Sequence, residues 1–422
     1  MRARFIAPYV VAFVMPPNPD IKGVLEDHAL IFYYHKINSY SFNALAGAID
    51  ADDDIAGIPI CIALTADDLR EQVSTALRNH SRAIAAFSIM TCQLEEASRL
   101  ILQLRVEHGG RLIILAGGPH VTARPEDVLR AGADIVFRGE AENSFPRVLK
   151  ALFQGMDCAA IQSADTPTDL DRTHSFSPER GMFGPIEITR GCAFACRFCQ
   201  TSQIFGARLR HRSVEKIVRQ AESLRSINRK VVRLLSPNAF SYGSPDGRKL
   251  NLDSVRGLLA ALRGSLSAGG RIIFAHFPSE ARPEHITPDT LSLLDEFADN
   301  DEIVIGAQSG SRRMLDICGR AHTEHDVVSA VACARKHGYK IIVDFMFGLP
   351  GENDADRRES LSVMKEIVGM GARIHPHIFA PLPQTAFANE PPGDISRFFL
   401  NAINEFHGLG AIYTRNPVKD PG

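Results

Sequence analysis

Charge of one sign is missing from this sequence. Its 47 lysines and arginines against 49 aspartates and glutamates leave a formal net charge of −2, and the basic residues are spread along the chain. That balance offers no electrostatic footprint for nucleic acid or an anionic membrane. An export signal is not expected either. Met1–Met15 begins with two arginines and turns apolar, but Pro16, Pro17 and Pro19 stand where a small-residue cleavage site would follow. The run is also too short to span a bilayer. We expect a buried strand there, and a cytoplasmic protein. Long repeats and low-complexity stretches are absent. A disulfide framework is not expected either. Five of the eight cysteines, Cys61, Cys92, Cys158, Cys318 and Cys333, are scattered and mostly flanked by apolar residues. Such cysteines read as small buried hydrophobes. What is present is ordinary: 45% apolar and 23% charged residues over 422 positions, enough for two domains with real cores.

From about residue 25 to 155, short apolar runs alternate with amphipathic stretches. The runs are Ala29–Tyr34, Ile58–Leu64, Ala83–Met90, Leu112–Ala116 and Asp134–Phe137. Between them lie helix-like segments such as Asp67–Leu77, Leu94–Val106, Pro125–Ala131 and Glu142–Phe153. This alternation predicts an α/β fold with a doubly wound parallel sheet over residues 1–155. Residues 156–185 lose periodicity and gain Asp, Ser, Thr, Pro and Gly, the composition of a linker. From Ile186 six further strand–helix units follow, with runs at Ile186–Ile188, Val231–Leu235, Ile272–Ala275, Ile303–Gly306, Ile341–Phe347 and Ile374–Phe379. They predict a partial (β/α)6 barrel over 186–390, with its site on the loops after the strands. Residues 391–422 read as a closing helix and a tail.

The densest chemical signal is Glu187-Ile-Thr-Arg-Gly-Cys192-Ala-Phe-Ala-Cys196-Arg-Phe-Cys199, three thiols on the loop after the first barrel strand. Thiolates suit iron–sulfur clusters and zinc alike. A closed zinc site wants a fourth ligand nearby, and the next cysteine is more than a hundred residues on, with His211 the only close candidate. Three ligands fit a cluster with one open iron. A zinc loop, or three core cysteines, stays open on the residues alone.

The C-x3-C-x2-C spacing, with Phe198 before the last cysteine, resembles the radical S-adenosylmethionine superfamily. The resemblance implies a [4Fe–4S] cluster on Cys192, Cys196 and Cys199 whose open iron is chelated by S-adenosylmethionine, and reductive cleavage to a 5′-deoxyadenosyl radical. It further implies cofactor contacts from Phe198. Ser236 follows the second strand, where the family often has Gly-Gly-Glu and this chain has Ser236-Pro-Asn. Ser279, Glu280 and Arg282 stand after the third strand, Gln308 and Ser309 after the fourth, and then Arg320. Asp344-Phe-Met-Phe-Gly348-Leu-Pro-Gly-Glu352 resembles the family's glycine-rich turn below the adenine.

A second resemblance covers about residues 25–155 and is to cobalamin-binding domains fused to radical enzymes. It is carried by Ser88, Met90, Thr91 and Cys92, by Gly117, Gly118, Pro119 and His120, and by Gly139 and Glu140. Each group sits at the carboxyl end of a predicted strand, where this fold binds ligands. The Asp-x-His-x-x-Gly motif that gives many cobalamin proteins a cobalt ligand is absent, and His120 stands in a different context. The order of the parts resembles cobalamin-dependent radical methyltransferases. It implies transfer of a methyl group from methylcobalamin to an unactivated carbon of a protein side chain or small molecule, after the deoxyadenosyl radical has removed a hydrogen. The same architecture leaves open another radical reaction, such as ring closure, rearrangement or methylthiolation, or a corrinoid and redox carrier. An external flavodoxin- or ferredoxin-like electron donor is implied, and no nucleic-acid or membrane partner is expected. His375 and His377 are placed on the substrate side; no separate acid or base stands out.

Overall fold

In the computed structural model, residues 28–413 are described apart from 165, 395 and 396. The strand expected within Met1–Met15 and the end of the tail lie outside the described residues. The chain divides into two compact units, one ending at Gly184 and the other starting at Pro185.

In the first unit, β1 (His28–Tyr33), β2 (Ile60–Ala63), β3 (Arg82–Ser88), β4 (Leu112–Gly117), β5 (Ile135–Arg138) and β6 (Ile161–Ser163) form one parallel sheet in the order β2-β1-β3-β4-β5-β6. Strand alternation sends successive side chains to opposite faces. Leu30, Phe32, Ile84, Ala86, Ile113 and Leu115 face helices Ser39–Asp50 and Ser144–Phe153, which bring Phe42, Ile49, Phe145 and Leu149. Ile31, Tyr33, Ala85, Phe87, Ile114 and Ala116 face helices Ala66–Asn79 and Leu94–His108, which bring Leu69, Val73, Leu100 and Leu104. Both faces are covered, so the sheet is doubly wound. The chain reverses direction between β1 and β3, which puts the topological switch point at their carboxyl ends.

The expected linker belongs to this unit. Its β6 pairs with β5 through Val136↔Ile161 and Phe137↔Gln162. Further on, Arg180 donates from Nε to Asp50 Oδ1 at 2.6 Å and from Nη1 to the Ile58 carbonyl at 2.6 Å. Asn43 Nδ2 reaches the Phe183 carbonyl at 2.9 Å, and Met182 joins the apolar core. A polar composition marked the segment as irregular, but its anchors include contacts between residues more than a hundred positions apart.

The second unit carries six parallel strands in chain order. They are β7 (Ile186–Glu187), β10 (Val231–Leu235), β11 (Arg271–Ile273), β12 (Glu302–Gln308), β13 (Lys340–Phe347) and β14 (Ala372–Ile378). β7-β10-β11 and β12-β13-β14 are joined by the parallel bridge Ala281↔Ile305 and by Val304 N donating to the Ala275 carbonyl at 3.0 Å. This is the partial barrel. Helices between the strands start on side-chain caps, including Ser213, Asn251, Thr287, Thr323 and Asn353, each accepting from a backbone N–H of the first turn. Two features were not foreseen. A short ribbon pairs β8 (Thr189–Arg190) with β9 (Arg210–His211), and the last described residues add to β14 through Ile374↔Ile412. Among the described residues no helix is long and apolar enough to cross a membrane.

Candidate functional site

The cysteine loop leaves the barrel through the β8–β9 ribbon, which fastens its neck. Cys192 N donates to the Gly206 carbonyl at 3.1 Å, and Cys199 N to the Cys196 carbonyl at 3.0 Å, which turns the loop on itself. Gly191, between ribbon and first cysteine, has φ +95°, and a Cβ there would sit 2.5 Å from the Arg208 carbonyl oxygen. Only glycine fits that turn. Cys196 is buried, with Cys192 and Cys199 partly so. Burial, then the neighbouring Cys196 and Cys192, push the Cys199 thiol up, with Thr201 opposing. Without metal the thiol stays protonated; iron would take it as thiolate.

Charged side chains gather around Cys196. Arg320 Nη1 lies 3.6 Å from its Sγ, and Arg320 Nη2 is hydrogen-bonded to the Gly306 carbonyl. The buried Nε of Arg320 has no hydrogen-bond partner. Arg282 is buried, stacks over Phe194 of the cysteine loop at 3.6 Å to the ring centre, and donates from Nε to Glu284 Oε1 at 2.5 Å. Burial, then the charge of Arg320, pull Arg282 below its usual range. Two guanidinium groups beside one thiol form an anion site, which thiolates on iron and a ligand carboxylate would balance. The residues present fit an open cluster. His322, beside Arg282, is buried and neutral: burial, then Arg320 and Arg282, lower it to about 2. Its Nε2 donates to the Ala307 carbonyl at 3.0 Å.

Other expected contacts have structural partners. Ser279 Oγ donates to the Leu234 carbonyl at 2.8 Å and accepts from Ser236 N at 2.7 Å, while Ser236 Oγ donates to the Asn238 carbonyl. The Ser279 hydroxyl ties the loop after β11 to the end of β10, and the Ser236 hydroxyl closes a turn in the loop after β10. Ser309 Oγ lies 3.2 Å from Ser360 Oγ and accepts from Ser311 N, which fastens helix Asp354–Gly369. Gln308 adopts φ +71° at an irregularity in the β12–β13 register. Phe198 packs against a cluster of Met314, Cys318, Leu349, Phe379 and Phe387.

Deeper in the barrel, Asp344 Oδ1 accepts from His375 Nδ1 at 2.7 Å, and His377 Nε2 stands 3.6 Å from the same oxygen. Burial alone would raise Asp344, but His375 and His377 hold it below the usual carboxylate range. Glu280 beside it is pushed well up by burial, then by the charge of Asp344, with Arg320 opposing. A side-chain hydrogen bond joins the two carboxyls, and any proton they share favours Glu280.

In the first unit, Ser88, Gly117 and Gly118, and Gly139 do stand at the carboxyl ends of β3, β4 and β5. Gly118 has φ +100°, and a Cβ would fall 2.6 Å from Ile89 N. Met90 and Thr91 are half-buried and Cys92 is exposed. His120 is buried with both ring nitrogens engaged, Nδ1 with Thr91 Oγ1 at 3.2 Å and Nε2 with Asp127 Oδ2 at 3.1 Å. Pro119 opens the short helix that carries it. Glu140 Oε2 accepts from Thr168 N at 3.0 Å, holding down the segment expected as linker. These two groups build the loops. Ser88 Oγ, by contrast, is buried with no hydrogen-bond partner. It belongs to the lining of a shallow, water-sized recess at the switch point, together with Tyr33, His35, Asn38, Phe87 and Gln93. An unpartnered hydroxyl at that point is a polar group that a ligand on the strand ends could engage.

Sequence reasoning missed several of these groups. His35 and Asn38 follow β1 in a stretch without a recognisable motif, and Asn38 Nδ2 donates to the Ser88 carbonyl at 3.0 Å. Cys318 was grouped with the scattered cysteines, but it is buried where the charge of Cys196 reaches it, and its thiol is pushed up to about 12, mainly by burial. Arg197 N donates to its carbonyl at 3.0 Å. Cys61 and Cys92 are exposed rather than buried. The Asp344–His375 register pair was legible in principle from two adjacent strands each carrying a polar residue amid apolar ones.

Comparison with known proteins gives two family matches: residues 186–364 match the radical SAM superfamily and residues 36–149 the B12 binding domain. An uncharacterised protein of Methanopyrus kandleri is 25% identical over 74% of this chain and 68% of its own length. A tRNA-2-methylthio-N(6)-dimethylallyladenosine synthase of Geobacter metallireducens is 26% identical over 68% of this chain, which spans 63% of that enzyme. Among solved structures, the cobalamin-dependent S-adenosylmethionine radical enzyme OxsB, with aqua-cobalamin and S-adenosylmethionine bound, superposes with a TM-score of 0.62 at 16% identity. That match covers 81% of this chain and 52% of OxsB. The radical S-adenosylmethionine methyltransferase TsrM from Kitasatospora setae gives 0.62 at 15% identity, over 86% of this chain and 75% of its own. At these identities the two structures establish a shared fold.

Proposed function

This chain belongs to the radical SAM superfamily and carries a B12 binding domain, so it uses a [4Fe–4S] cluster, S-adenosylmethionine and cobalamin; from that premise we propose that it methylates an unactivated carbon. The observation that carries the reading is the joining of both domains in one chain, with the three-cysteine loop on the second. When bound, the cluster with S-adenosylmethionine supplies a carbon-centred radical, and cobalamin supplies a transferable methyl group. The chain's own residues bind and orient. Cys192, Cys196 and Cys199 would hold the cluster. Arg320, whose Nη1 reaches Cys196 and whose Nε is unpartnered, would meet the methionine carboxylate with Arg282 behind it. Glu280, hydrogen-bonded to Asp344, would hold that carboxylate beside them. Ser236, Ser279 and Ser309 would act through the backbone they fix. Gly117, Gly118, Ser88 and the recess beside it would seat part of the cobalamin. The substrate is a protein side chain or small molecule, and an external flavodoxin- or ferredoxin-like protein supplies electrons.

Methylthiolation is the second reading, because the Geobacter relative is named for it. It calls for further cluster cysteines in the first domain. Cys61 lies on β2 and Cys92 follows β3, with β1 between them, a separation of about two strand spacings, or ~10 Å. That arrangement favours the cobalamin reading. The test is anaerobic reconstitution with iron, sulfide and cobalamin, then mass spectrometry after adding reductant and methyl-labelled S-adenosylmethionine. Deoxyadenosine is expected from the parent and should fall to background in the Cys192→Ala/Cys196→Ala/Cys199→Ala variant. A product gaining labelled methyl supports the proposal; one gaining sulfur with it would replace the proposal by methylthiolation.

A further inference from the structure

Asp344, His375 and His377 are not needed to hold the cluster, and they come together by strand geometry. His375 and His377 are two apart on β14 and so share one face of the sheet. On β13, Asp344 is the register partner of His375, and Met346 that of His377. One ligand atom from each of the three lies within 4.8 Å of the others. Asp344 is 1% exposed, with Glu280 hydrogen-bonded to it from the other side. A histidine held by an aspartate would need only one imidazole. Here a second imidazole is aimed at the same oxygen from 3.6 Å, beyond hydrogen-bond length but inside the span of two ligands on one ion.

We propose that these three side chains form a mononuclear site for a divalent transition-metal ion. Two imidazole nitrogens and one carboxylate suit zinc or ferrous iron better than calcium or magnesium, which prefer all-oxygen sets. Three protein ligands leave coordination positions open, the pattern of a working site and not of a structural one. The opening is on the imidazole side: the side chains of His375 and His377 are 16% and 28% exposed, that of Asp344 1%. The far side of His375 is walled by Phe277 and Tyr413, each with its ring centre 5.3 Å away. An ion here would take an oxygen or nitrogen donor of the substrate, a carboxylate, hydroxyl or amide, and hold it in the barrel. The site does not depend on which group is transferred.

The test uses the full chain reconstituted anaerobically with its cluster, equilibrated with zinc chloride and desalted. Iron and zinc per chain are then counted by mass spectrometry, and the zinc environment is read by X-ray absorption. Stoichiometric zinc with nitrogen and oxygen neighbours at about 2.0–2.2 Å is expected. It should be lost in Asp344→Asn and His377→Gln while iron content stays at the parent level, which also reports that the variants fold. No stoichiometric zinc, zinc retained by both variants, or sulfur in the zinc shell would each overturn the proposal. The deoxyadenosine assay, run separately, stands or falls on the cluster alone.

Discussion

The two units handle buried polarity in opposite ways. In the first, the polar groups near the strand ends pair with each other: His120 with Thr91 and Asp127, Glu140 with Thr168, Asn38 with the Ser88 carbonyl. What remains for a ligand is backbone at glycines and one free hydroxyl. In the second, Arg282, Arg320, Glu280, Asp344 and His322 are crowded together with charges and lone pairs incompletely matched. Burying charge without full pairing is costly, so such a group persists where a bound species completes it. A ligand held by shape and a ligand held by charge leave different marks on a fold, and this chain carries both.

The largest test of that contrast is Arg320→Ala. A charge-assisted hydrogen bond contributes about 1.5–3 kcal/mol, so S-adenosylmethionine affinity should drop roughly 10- to 100-fold, read by calorimetry on cluster-loaded protein. Cobalamin binding should be unchanged, and a parallel loss there would erase the distinction. Gly118→Ala is the complementary change. The Cβ would meet Ile89 N at 2.6 Å with φ at +100°. Stability should fall by about 1–3 kcal/mol, and cobalamin retention on gel filtration should fall with it while iron content holds. The smallest effect concerns pH. Folded His322 titrates far below an unfolded histidine, so acid favours the unfolded chain, which binds the extra proton. The stability it contributes is complete above the ordinary histidine value and declines as pH falls below it, by about 1.4 kcal/mol per pH unit. His322→Gln should flatten that slope in thermal melts between pH 5 and 7, roughly one unit each side of a free imidazole; an unchanged slope would mean that this buried imidazole is not the group responsible.

Much of the fold was legible because its signals are local. Helix Leu94–His108 begins at the residue its apolar spacing predicted and runs two residues past the expected Val106. The central strands β3 and β4 of the first unit are almost unbroken apolar runs, as a parallel sheet covered on both faces requires. Strand β6, Ile-Gln-Ser, escaped because three residues with exposed ends have no pattern to read. The packing of Arg180 on Asp50 escaped because nothing in either neighbourhood announces the other. At the site, the cysteines were plain from spacing, but Ser279 and His120 were assigned to ligands when their partners lie inside the fold. Chemistry-bearing residues at strand ends serve loops and ligands alike, and only three-dimensional pairing separates the two uses. Glu280 and Asp344, 64 positions apart in sequence, illustrate the same limit.

Cys318 bears on how faithfully the cluster can be assembled. Iron is passed between sulfurs by ligand exchange, and only thiolates exchange. With its thiol near 12, Cys318 is ionised at neutral pH in about one molecule in a hundred thousand, despite lying where the charge of Cys196 reaches it. Burial keeps this thiol neutral, so the wall behind the cysteine loop adds bulk there and not charge.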